Sequence, residues 1–286
     1  MAASCDIRGT TRLVGVIGDP VAHSRSPAMH NAAFRALGLD WCYVPLHVAG
    51  RNLEAALRGL VALDFVGANV TIPHKEQAAA LCDSLTPAAE AVGAVNTLTV
   101  QEGCLAGDNT DVGGLLLALA EARVELEGRE ALVLGAGGSA RAAAYALAQS
   151  GARVTVANRT LARAEALVQA LQDRVRGRLT AIPLADLRAL QASLQQATLL
   201  VNTTSVGMEP GPDESPLPDS LPLPPGLTVL DLVYAPRQTR LLREAAARGC
   251  RTIEGLRVLV YQGALSFECW TGRAAPVEVM MRAAEA

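Results

Sequence analysis

Lys75 is the residue whose chemistry stands out first in this sequence. It is the only lysine among 25 lysine and arginine side chains, and all the others are arginines. The pKa of an ammonium group can be tuned so that it releases and recovers a proton, whereas an arginine in a protein stays charged. Lys75 is therefore a candidate general acid/base. The alternative that composition leaves open is a lysine that has survived by chance at a solvated helix start.

Other polar side chains near predicted helix starts are candidates for the same site. Asp111 would hold and tune the ammonium of Lys75 if the fold brings them together, although an N-cap role before an apolar helix is the alternative. Ser24 and Ser26 lie beside a helix start with Pro27 at its first position. Their hydroxyls and the nearby backbone amides would suit a carboxylate, with Ser26 as a plain N-cap the alternative.

Three asparagines, Asn69, Asn96 and Asn109, end otherwise apolar segments. Their amides either satisfy backbone groups or bind substrate hydroxyls, and the sequence leaves both open. The histidines have no metal-ligand spacing, so we interpret each as structural; they are His23, His30, His47 and His74. We predict no metal site.

A second stretch suited to ligand binding is a GxGxxA pattern over Gly135-Ala136-Gly137-Gly138-Ser139-Ala140. It follows a predicted strand over 131–134 and precedes a predicted helix over 141–149, which is the context that a dinucleotide fingerprint requires. Gly135 would permit the tight turn, Gly137 would let the backbone approach a pyrophosphate, and Ala140 would keep the helix close to the sheet. A glycine turn without a ligand is the alternative.

The residues after the next strand indicate which dinucleotide would bind. An NAD site usually has an acidic residue about 20 residues after the glycines, to hold the ribose hydroxyls. Here that position reads Asn158-Arg159-Thr160, with Arg163 one turn later. Two guanidinium groups and no carboxylate favour a 2′-phosphate, so we predict NADP. Incidental surface arginines are the alternative.

Two α/β domains are predicted to position these residues. Short apolar runs alternate with helical segments, first over residues 13–70 and again from residue 130, which predicts mostly parallel sheets. Lys75 would then follow a strand end, where such folds bind ligands. The predicted strands span 13–17, 42–48, 65–70, 94–100, 104–107, 131–134, 153–157, 198–202 and 228–232, with a possible hairpin at Glu102-Gly103. The predicted helices begin at Ser26-Pro27 and span 52–63, 112–122, 141–149, 238–248 and 255–270.

One segment interrupts the second domain. Residues 209–226 contain seven prolines, which predicts a polyproline-like surface loop between two strands. The last helical stretch is most economically placed back across the first domain. With 286 residues, the chain is long enough for two domains with separate cores.

Composition excludes several classes of function. A net charge of −3 and an aromatic content of 3% give no basis for binding nucleic acid. No run approaches the ~18 apolar residues of a spanning helix, and the first dozen residues contain no apolar run, so we expect no membrane or signal segment. The cysteines include no CxxC pair, which predicts reduced core cysteines in a cytoplasmic protein; they are Cys5, Cys42, Cys82, Cys104, Cys250 and Cys269.

Taken in chain order, these motifs resemble the shikimate dehydrogenase family over nearly the whole sequence. The matching stretches are Gly18 to Asn31, Asn69 to Lys75, Gly93 to Thr97, Gly107 to Gly113, Gly135 to Ala142, Asn158 to Thr160, Asn202 to Met208, Asp231 to Pro236 and Gln262 to Gly272. One position departs from the pattern, because Val258 stands where members commonly have a methionine near the nicotinamide.

The resemblance implies a role for each matching residue. Lys75 and Asp111 correspond to the catalytic pair. The residues that correspond to substrate ligands are Ser24, Ser26, Thr71, Asn96, Tyr234 and Gln262. The residues that correspond to NADP contacts are Gly135, Ala136, Gly137, Gly138, Ser139, Ala140, Asn158, Arg159, Thr160, Arg163, Thr203 and Gly255.

The resemblance also implies a fold and a reaction. We expect a discontinuous substrate domain over 1–111 and 256–286, and a Rossmann-type NADP domain over 112–255. The expected reaction is reversible NADPH-dependent reduction of 3-dehydroshikimate to shikimate, in the cytoplasm, by a monomer or homodimer. The alternatives are a quinate/shikimate or aminoshikimate-type dehydrogenase of the same fold and, from another class, a catalytically silent NADP-binding sensor.

Overall fold

The computed structural model describes residues 7–286, which divide into two units. Unit 1 contains the described residues up to Thr110 together with Val260–Ala286, and unit 2 contains Asp111–Leu259. The chain therefore leaves unit 1 once and returns to it once. The prediction for Cys5 lies outside the described residues.

Unit 1 is built on a six-stranded mixed sheet. Its strands are β1 (Arg12–Gly18), β2 (Trp41–His47), β3 (Gly67–Val70), β4 (Ser84–Leu85), β5 (Thr97–Gln101) and β6 (Cys104–Asp108), in the order β2-β1-β3-β5-β6-β4. β1 is parallel to β2 and β3, whereas β5 is antiparallel to β3 and β6. The predicted hairpin is confirmed, and Glu102 and Gly103 both have positive φ in its turn.

Four of the helices of unit 1 lie between its strands, and the sequence predicts the first two of them. They are α1 (Ser26–Ala36), α2 (Leu53–Ala62), α3 (Lys75–Leu81) and α4 (Pro87–Val92). Helices α2, α3 and α4 contribute residues to a core that includes Ile17, Leu57 and Leu98. Arg25 is the N-cap of α1 and Ser26 is its first helical residue, so the N-cap alternative for Ser26 is wrong by one position.

Unit 2 is built on a six-stranded sheet in which every pairing is parallel. Its strands are β7 (Glu130–Leu134), β8 (Arg153–Asn158), β9 (Leu179–Pro183), β10 (Leu199–Asn202), β11 (Thr228–Asp231) and β12 (Arg251–Glu254), in the order β12-β11-β10-β7-β8-β9. The strand order reverses beside β7, as in doubly wound dinucleotide-binding folds. The predicted fold class, α/β with two parallel-rich sheets, is confirmed.

Two of the remaining helices carry the chain between the units. They are α5 (Thr110–Glu121) and α10 (Gly255–Thr271), and the others are α6 (Gly138–Gln149), α7 (Leu161–Leu171), α8 (Leu187–Gln196), α9 (Arg240–Ala247) and α11 (Val277–Glu285). α5 begins at the last residue of unit 1, and α10 re-enters unit 1 at Val260. Within unit 1, Arg25 donates to the carbonyl oxygen of Ala284 in α11 at 2.6 Å.

The proline-rich segment is a loop between two strands, as its composition predicts, but part of it is buried. Leu217, Leu221 and Leu223 are buried in the same core cluster as Leu200 of β10 and Leu241 of α9. Leucines between prolines supply apolar surface that contributes to stability only when it is buried, and a periodicity search does not detect it. The exposed residues are 209–214, 219, 220, 222, 225 and 226, so the prediction of surface chain is right for these residues and wrong for the buried leucines.

The cysteines differ in burial. Cys42 is buried, Cys82 and Cys250 are half-buried, and Cys104 and Cys269 are exposed, so the prediction of core cysteines is only partly right. None of the five is in a disulfide within the described chain. Across residues 7–286, no helix is both long enough and apolar enough to cross a membrane.

Candidate active site

One edge of the sheet in unit 1 gathers the predicted substrate residues. The parallel pairing of β1 and β3 sets Ile17 opposite Val70, so these two strands end at the same edge. The antiparallel β5 begins there, with Thr97 opposite Asn69 on one side and Asp108 on the other. The predicted residues at this edge are Ser24 and Ser26 after β1, Thr71 and Lys75 after β3, and Asn96 before β5.

Ser24 and Ser26 lie at the start of α1. The hydroxyl oxygen of Ser24 accepts from the backbone N–H of Ser26 at 3.3 Å. The hydroxyl that bonds a backbone amide at this helix start is therefore that of Ser24. Ser26 is buried and Ser24 is half-buried. Two hydroxyls therefore lie at a helix N-terminus, an arrangement that suits an anion.

The turn between Thr71 and Lys75 is held by backbone hydrogen bonds. Thr71 donates to the carbonyl oxygen of Ile17 at 2.9 Å, and the carbonyl oxygen of Lys75 accepts from Val95 at 2.9 Å. His74 is buried, and its Nε2 lies 2.6 Å from the carbonyl oxygen of Val48, which agrees with a structural role. Lys75 is half-buried and is the first residue of α3.

Asn96 and Gln262 are the two predicted substrate ligands whose side chains bond to each other. Both are buried, and Asn96 Nδ2 donates to Gln262 Oε1 at 3.0 Å. Asn69 is a structural asparagine, because its Nδ2 donates to the carbonyl oxygen of Asn96 at 3.1 Å and its Oδ1 accepts from Tyr43 at 2.8 Å. Asn109 donates to the carbonyl oxygen of Ala94 at 2.8 Å.

The carboxyl edge of the sheet in unit 2 gathers the predicted cofactor residues and Tyr234. Because all of its strands are parallel, the loops after them leave from one edge, which is where doubly wound folds bind ligands. Gly135 follows β7, Asn158 ends β8, Thr203 follows β10, Tyr234 lies beyond β11, and Gly255 follows β12.

The glycine turn has the geometry that a pyrophosphate site needs. Gly135 has φ +111°, and an added Cβ would lie 2.6 Å from the hydroxyl oxygen of Thr203, so a side chain does not fit there. Gly137 is the N-cap of α6, and no described atom lies within 4 Å of an added Cβ at that position. The site is thus open above the N-terminus of α6, where Gly138, Ser139 and Ala140 form the first turn.

The end of β8 suits a 2′-phosphate. Asn158 Nδ2 donates to the carbonyl oxygen of Thr160 at 2.9 Å, which closes the turn that carries Arg159. Arg159 and Arg163 are exposed, and residues 158–163 include no aspartate or glutamate. Two accessible guanidinium groups without a competing carboxylate fit NADP.

A buried carboxylate organises the loops near Tyr234. Asp231 Oδ1 accepts from Asn202 at 2.8 Å and from the backbone N–H of Val233 at 3.0 Å, while Oδ2 accepts from Thr239 at 2.7 Å. Burial raises the pKa of Asp231, and these three donors act against that rise. The network ties together the ends of β10 and β11.

Comparisons with known proteins identify the family. Three family models match: the shikimate dehydrogenase substrate binding domain over residues 16–98, shikimate / quinate 5-dehydrogenase over 118–207, and the shikimate 5′-dehydrogenase C-terminal domain over 255–285. The shikimate dehydrogenase (NADP(+)) of Methanopyrus kandleri is 48% identical over 285 residues, which cover 99% of this chain and 98% of the relative. The chain belongs to the shikimate dehydrogenase family.

Solved structures of shikimate dehydrogenases agree. Shikimate 5-dehydrogenase from Listeria monocytogenes, solved with shikimate and NAD, has a TM-score of 0.89 and 37% identity, covering 97% of each chain. The enzyme from Thermus thermophilus, solved with NADP(H) and shikimate, has a TM-score of 0.85 and 43% identity, covering 96% of this chain and 98% of the other. The family resemblance predicted from the motifs is confirmed.

The two members of the predicted catalytic pair lie in different units. Lys75 belongs to unit 1, and Asp111 is the first residue of unit 2. α5 begins at Thr110, so Asp111 lies inside its first turn and the N-cap alternative for Asp111 is wrong. Their pairing, like the roles of the other predicted site residues of this chain, stays a prediction.

Sequence reasoning missed part of the site in unit 1. Thr97, Thr110 and Ser266 are buried and lie within hydrogen-bond distance of Asn96 or of one another. The signal that would have found Ser266 is its spacing, because it lies four residues after Gln262 on α10 and so shares its face. Thr97 and Thr110 each directly follow an asparagine that the sequence had singled out.

Proposed function

We propose that this protein catalyses the reversible, NADPH-dependent reduction of 3-dehydroshikimate to shikimate, a step toward the aromatic amino acids. The observation that carries the proposal is the 48% identity, over 99% of the chain, to a shikimate dehydrogenase (NADP(+)). The predicted enzyme class and cofactor are confirmed by the names of the curated relatives. We propose further that the protein acts in the cytoplasm as a monomer or homodimer.

The residues of unit 1 suit the substrate. Shikimate carries one carboxylate and several hydroxyls, which require hydrogen-bond donors and acceptors in fixed positions. We assign the carboxylate and hydroxyls to the polar groups at the sheet edge, helped by Tyr234 from unit 2; those in unit 1 are Ser24, Ser26, Thr71, Asn96 and Gln262. Unit 1 is then the substrate domain and unit 2 the NADP domain.

The residues of unit 2 suit NADP. When bound, NADPH supplies the hydride that adds to the substrate carbonyl carbon. The glycine turn at Gly135 and the amides at the start of α6 bind the pyrophosphate, and Arg159 and Arg163 bind the 2′-phosphate. We place Ala136, Asn158, Thr160, Thr203 and Gly255 against the same cofactor.

Lys75 supplies the proton. As the carbon–oxygen double bond opens and the carbon–hydrogen bond forms, the ammonium of Lys75 gives one proton to the oxygen, which becomes the hydroxyl of shikimate. In the reverse direction the amine takes that proton back. Asp111 holds the ammonium in position.

The assay follows the loss of NADPH absorbance with 3-dehydroshikimate, and NADH is run in parallel. Quinate and shikimate are compared in the oxidising direction, from the gain of absorbance with NAD⁺ or NADP⁺. Lys75→Ala should lower kcat by about 10²- to 10⁴-fold with little change in KM, because general acid catalysis is lost. Lys75→Arg should not rescue turnover, since arginine does not release its proton. Glu76→Gln, at the exposed neighbouring position, is the control and should retain activity.

The outcomes separate the alternatives. A Lys75→Arg enzyme with near-normal kcat would contradict the role of Lys75. Faster turnover of quinate with NAD would favour a quinate/shikimate dehydrogenase. NADPH binding without turnover of any cyclic polyol acid would favour the sensor.

A further inference from the structure

A backbone amide fixes which way the side chain of Asn96 points. Thr110 N donates to Asn96 Oδ1 at 2.7 Å. A backbone N–H is always a donor, so the atom of Asn96 that faces it must be the oxygen. The amino group of Asn96 therefore lies at the other end of the amide, and this orientation follows from the hydrogen bond itself.

The orientation of Asn96 sets that of Gln262. Asn96 Nδ2 lies 3.0 Å from Gln262 Oε1, and because the asparagine atom is a donor, the glutamine atom that faces it must be the acceptor. The amino group of Gln262 is then turned away from Asn96. One backbone amide thus determines the donor and acceptor pattern of two predicted substrate ligands.

Three hydroxyl groups connect the segments that carry Asn96, Thr110 and Gln262. The oxygens of Thr97, Thr110 and Ser266 form a triangle with sides of 2.7 Å (Thr97 to Ser266), 3.1 Å (Thr97 to Thr110) and 3.1 Å (Thr110 to Ser266). All three residues are buried. The triangle joins β5, the start of α5 and α10 at one point inside unit 1.

Ser266 connects the triangle to the helix that carries Gln262. Its hydroxyl donates to the carbonyl oxygen of Gln262 at 3.0 Å and accepts from Asn69 Nδ2 at 2.9 Å. Asn69 Oδ1 is in turn held by the hydroxyl of Tyr43 at 2.8 Å. Ser266 is thereby fixed from β2 and β3 as well as from β5, and the rotation of α10 that presents Gln262 is fixed with it.

We propose that Ser266 and Thr97 are positioning residues that orient Asn96 and Gln262, so that the amino group of Gln262 meets an oxygen of shikimate. This rests on the proposed function, since it assumes that Asn96 and Gln262 bind that substrate. Neither hydroxyl touches the substrate itself. Their removal should loosen the orientation of the two amides and so weaken substrate binding before it affects the chemistry.

The test measures kcat and both KM values in the shikimate-oxidising direction. Ser266→Ala removes one hydroxyl of the triangle, and Thr97→Val removes another at nearly constant volume. Thr97→Ser keeps that hydroxyl and should retain the KM for shikimate of the unaltered protein. Thr99→Val is the matched control, because it makes the same change two residues along β5 at a half-buried position.

The expected result is a rise in the KM for shikimate of about three- to tenfold in Ser266→Ala and Thr97→Val, the size of one hydrogen bond. The KM for NADP should stay within twofold. The double variant should lose little more than the worse single variant, because both act through one network.

An unchanged KM for shikimate in both single variants would overturn the inference, as would an equal rise in Thr99→Val. Equal losses in Thr97→Val and Thr97→Ser would also overturn it, since the hydroxyl would then be irrelevant. If Thr97→Val fails to fold, Ser266→Ala alone decides the question. Absence of shikimate turnover by the unaltered protein would overturn the proposed function, a result distinct from these.

Discussion

His30 gives the protein a stability that depends on pH. Its ring is fully buried, stacked on Tyr43 with ring centroids 4.4 Å apart, and close to Phe34, Phe267 and Trp270. Neither ring nitrogen has a hydrogen-bond partner among the described residues. Burial lowers the pKa of His30 from 6.5 to about 3, because nothing near the ring compensates a positive charge.

The size of the effect follows from this difference in pKa. The unfolded chain binds a proton at His30 below pH 6.5, whereas the folded protein keeps the ring neutral down to about pH 3. The contribution of the neutral His30 ring to the free energy of unfolding is therefore fully present above pH 6.5 and is lost as pH falls toward 3. Lowering the pH from 7 to 5 should therefore reduce the free energy of unfolding by about 2 kcal/mol.

The assay compares urea unfolding at pH 7 and pH 5 for the unaltered protein and for His30→Phe, which keeps a flat ring in the stack. The unaltered protein should lose about 2 kcal/mol more than the variant over this range. His30→Leu serves if the phenylalanine does not fit. His23→Gln is the control, because His23 is exposed, and it should behave as the unaltered protein does.

A direct measurement would also refute the reasoning. The NMR signals of the His30 ring, identified by their loss in His30→Phe, should not move between pH 8 and pH 5. A signal that titrates near pH 6.5, or the same pH dependence of unfolding in both proteins, would show that the ring is not held neutral by burial.

Two further changes test the cofactor site and the proline-rich segment. Arg159→Ala should raise the KM for NADP about tenfold or more and change the KM for NAD little, because a charged hydrogen bond to phosphate is lost. The control is Arg129→Ala, which lies before the amino end of β7. Equal effects of Arg159→Ala on the KM values of both cofactors would contradict the phosphate role. Leu221→Ala should lower the unfolding free energy in urea by about 2–5 kcal/mol, because Leu221 is buried. Leu187→Ala, at a site 45% exposed, should cost far less, and similar losses would mean that the segment is only a surface loop.

Much of the fold could be predicted because its signals are local. Runs such as 131–134 and 198–202 correspond to strands buried on both faces of a parallel sheet, and the glycines of the turn at Gly135 mark the start of a helix. The strands β4, β9 and β12 were not predicted individually, and neither were the helices α3, α4, α7, α8 and α11. Each of these strands is short and mostly half-exposed or exposed, so none of them forms an apolar run.

The proline-rich segment could not be predicted because its burial depends on distant residues. Leu217, Leu221 and Leu223 are buried in a cluster that also contains residues of β7, β10, β11, α8 and α9. In sequence, the same leucines alternate with prolines in a way that is typical of extended surface chain. The local pattern predicts the extended backbone of this segment correctly, but it predicts exposure where the leucines are buried.

The candidate site shows the same limit at the scale of single atoms. The sequence predicts Asn96 and Gln262 as substrate ligands. Which end of each amide would face the proposed substrate depends on a backbone N–H 14 residues away from Asn96 and on a side-chain contact 166 residues away. The residue that supplies this N–H, Thr110, directly precedes Asp111 in the first turn of α5. One hydrogen bond thus anchors both the substrate amides and the start of the helix that carries the proposed catalytic carboxylate. Loss of Ser266 leaves that anchor in place and should act on binding alone, whereas loss of Asn96 removes it and should reduce kcat as well.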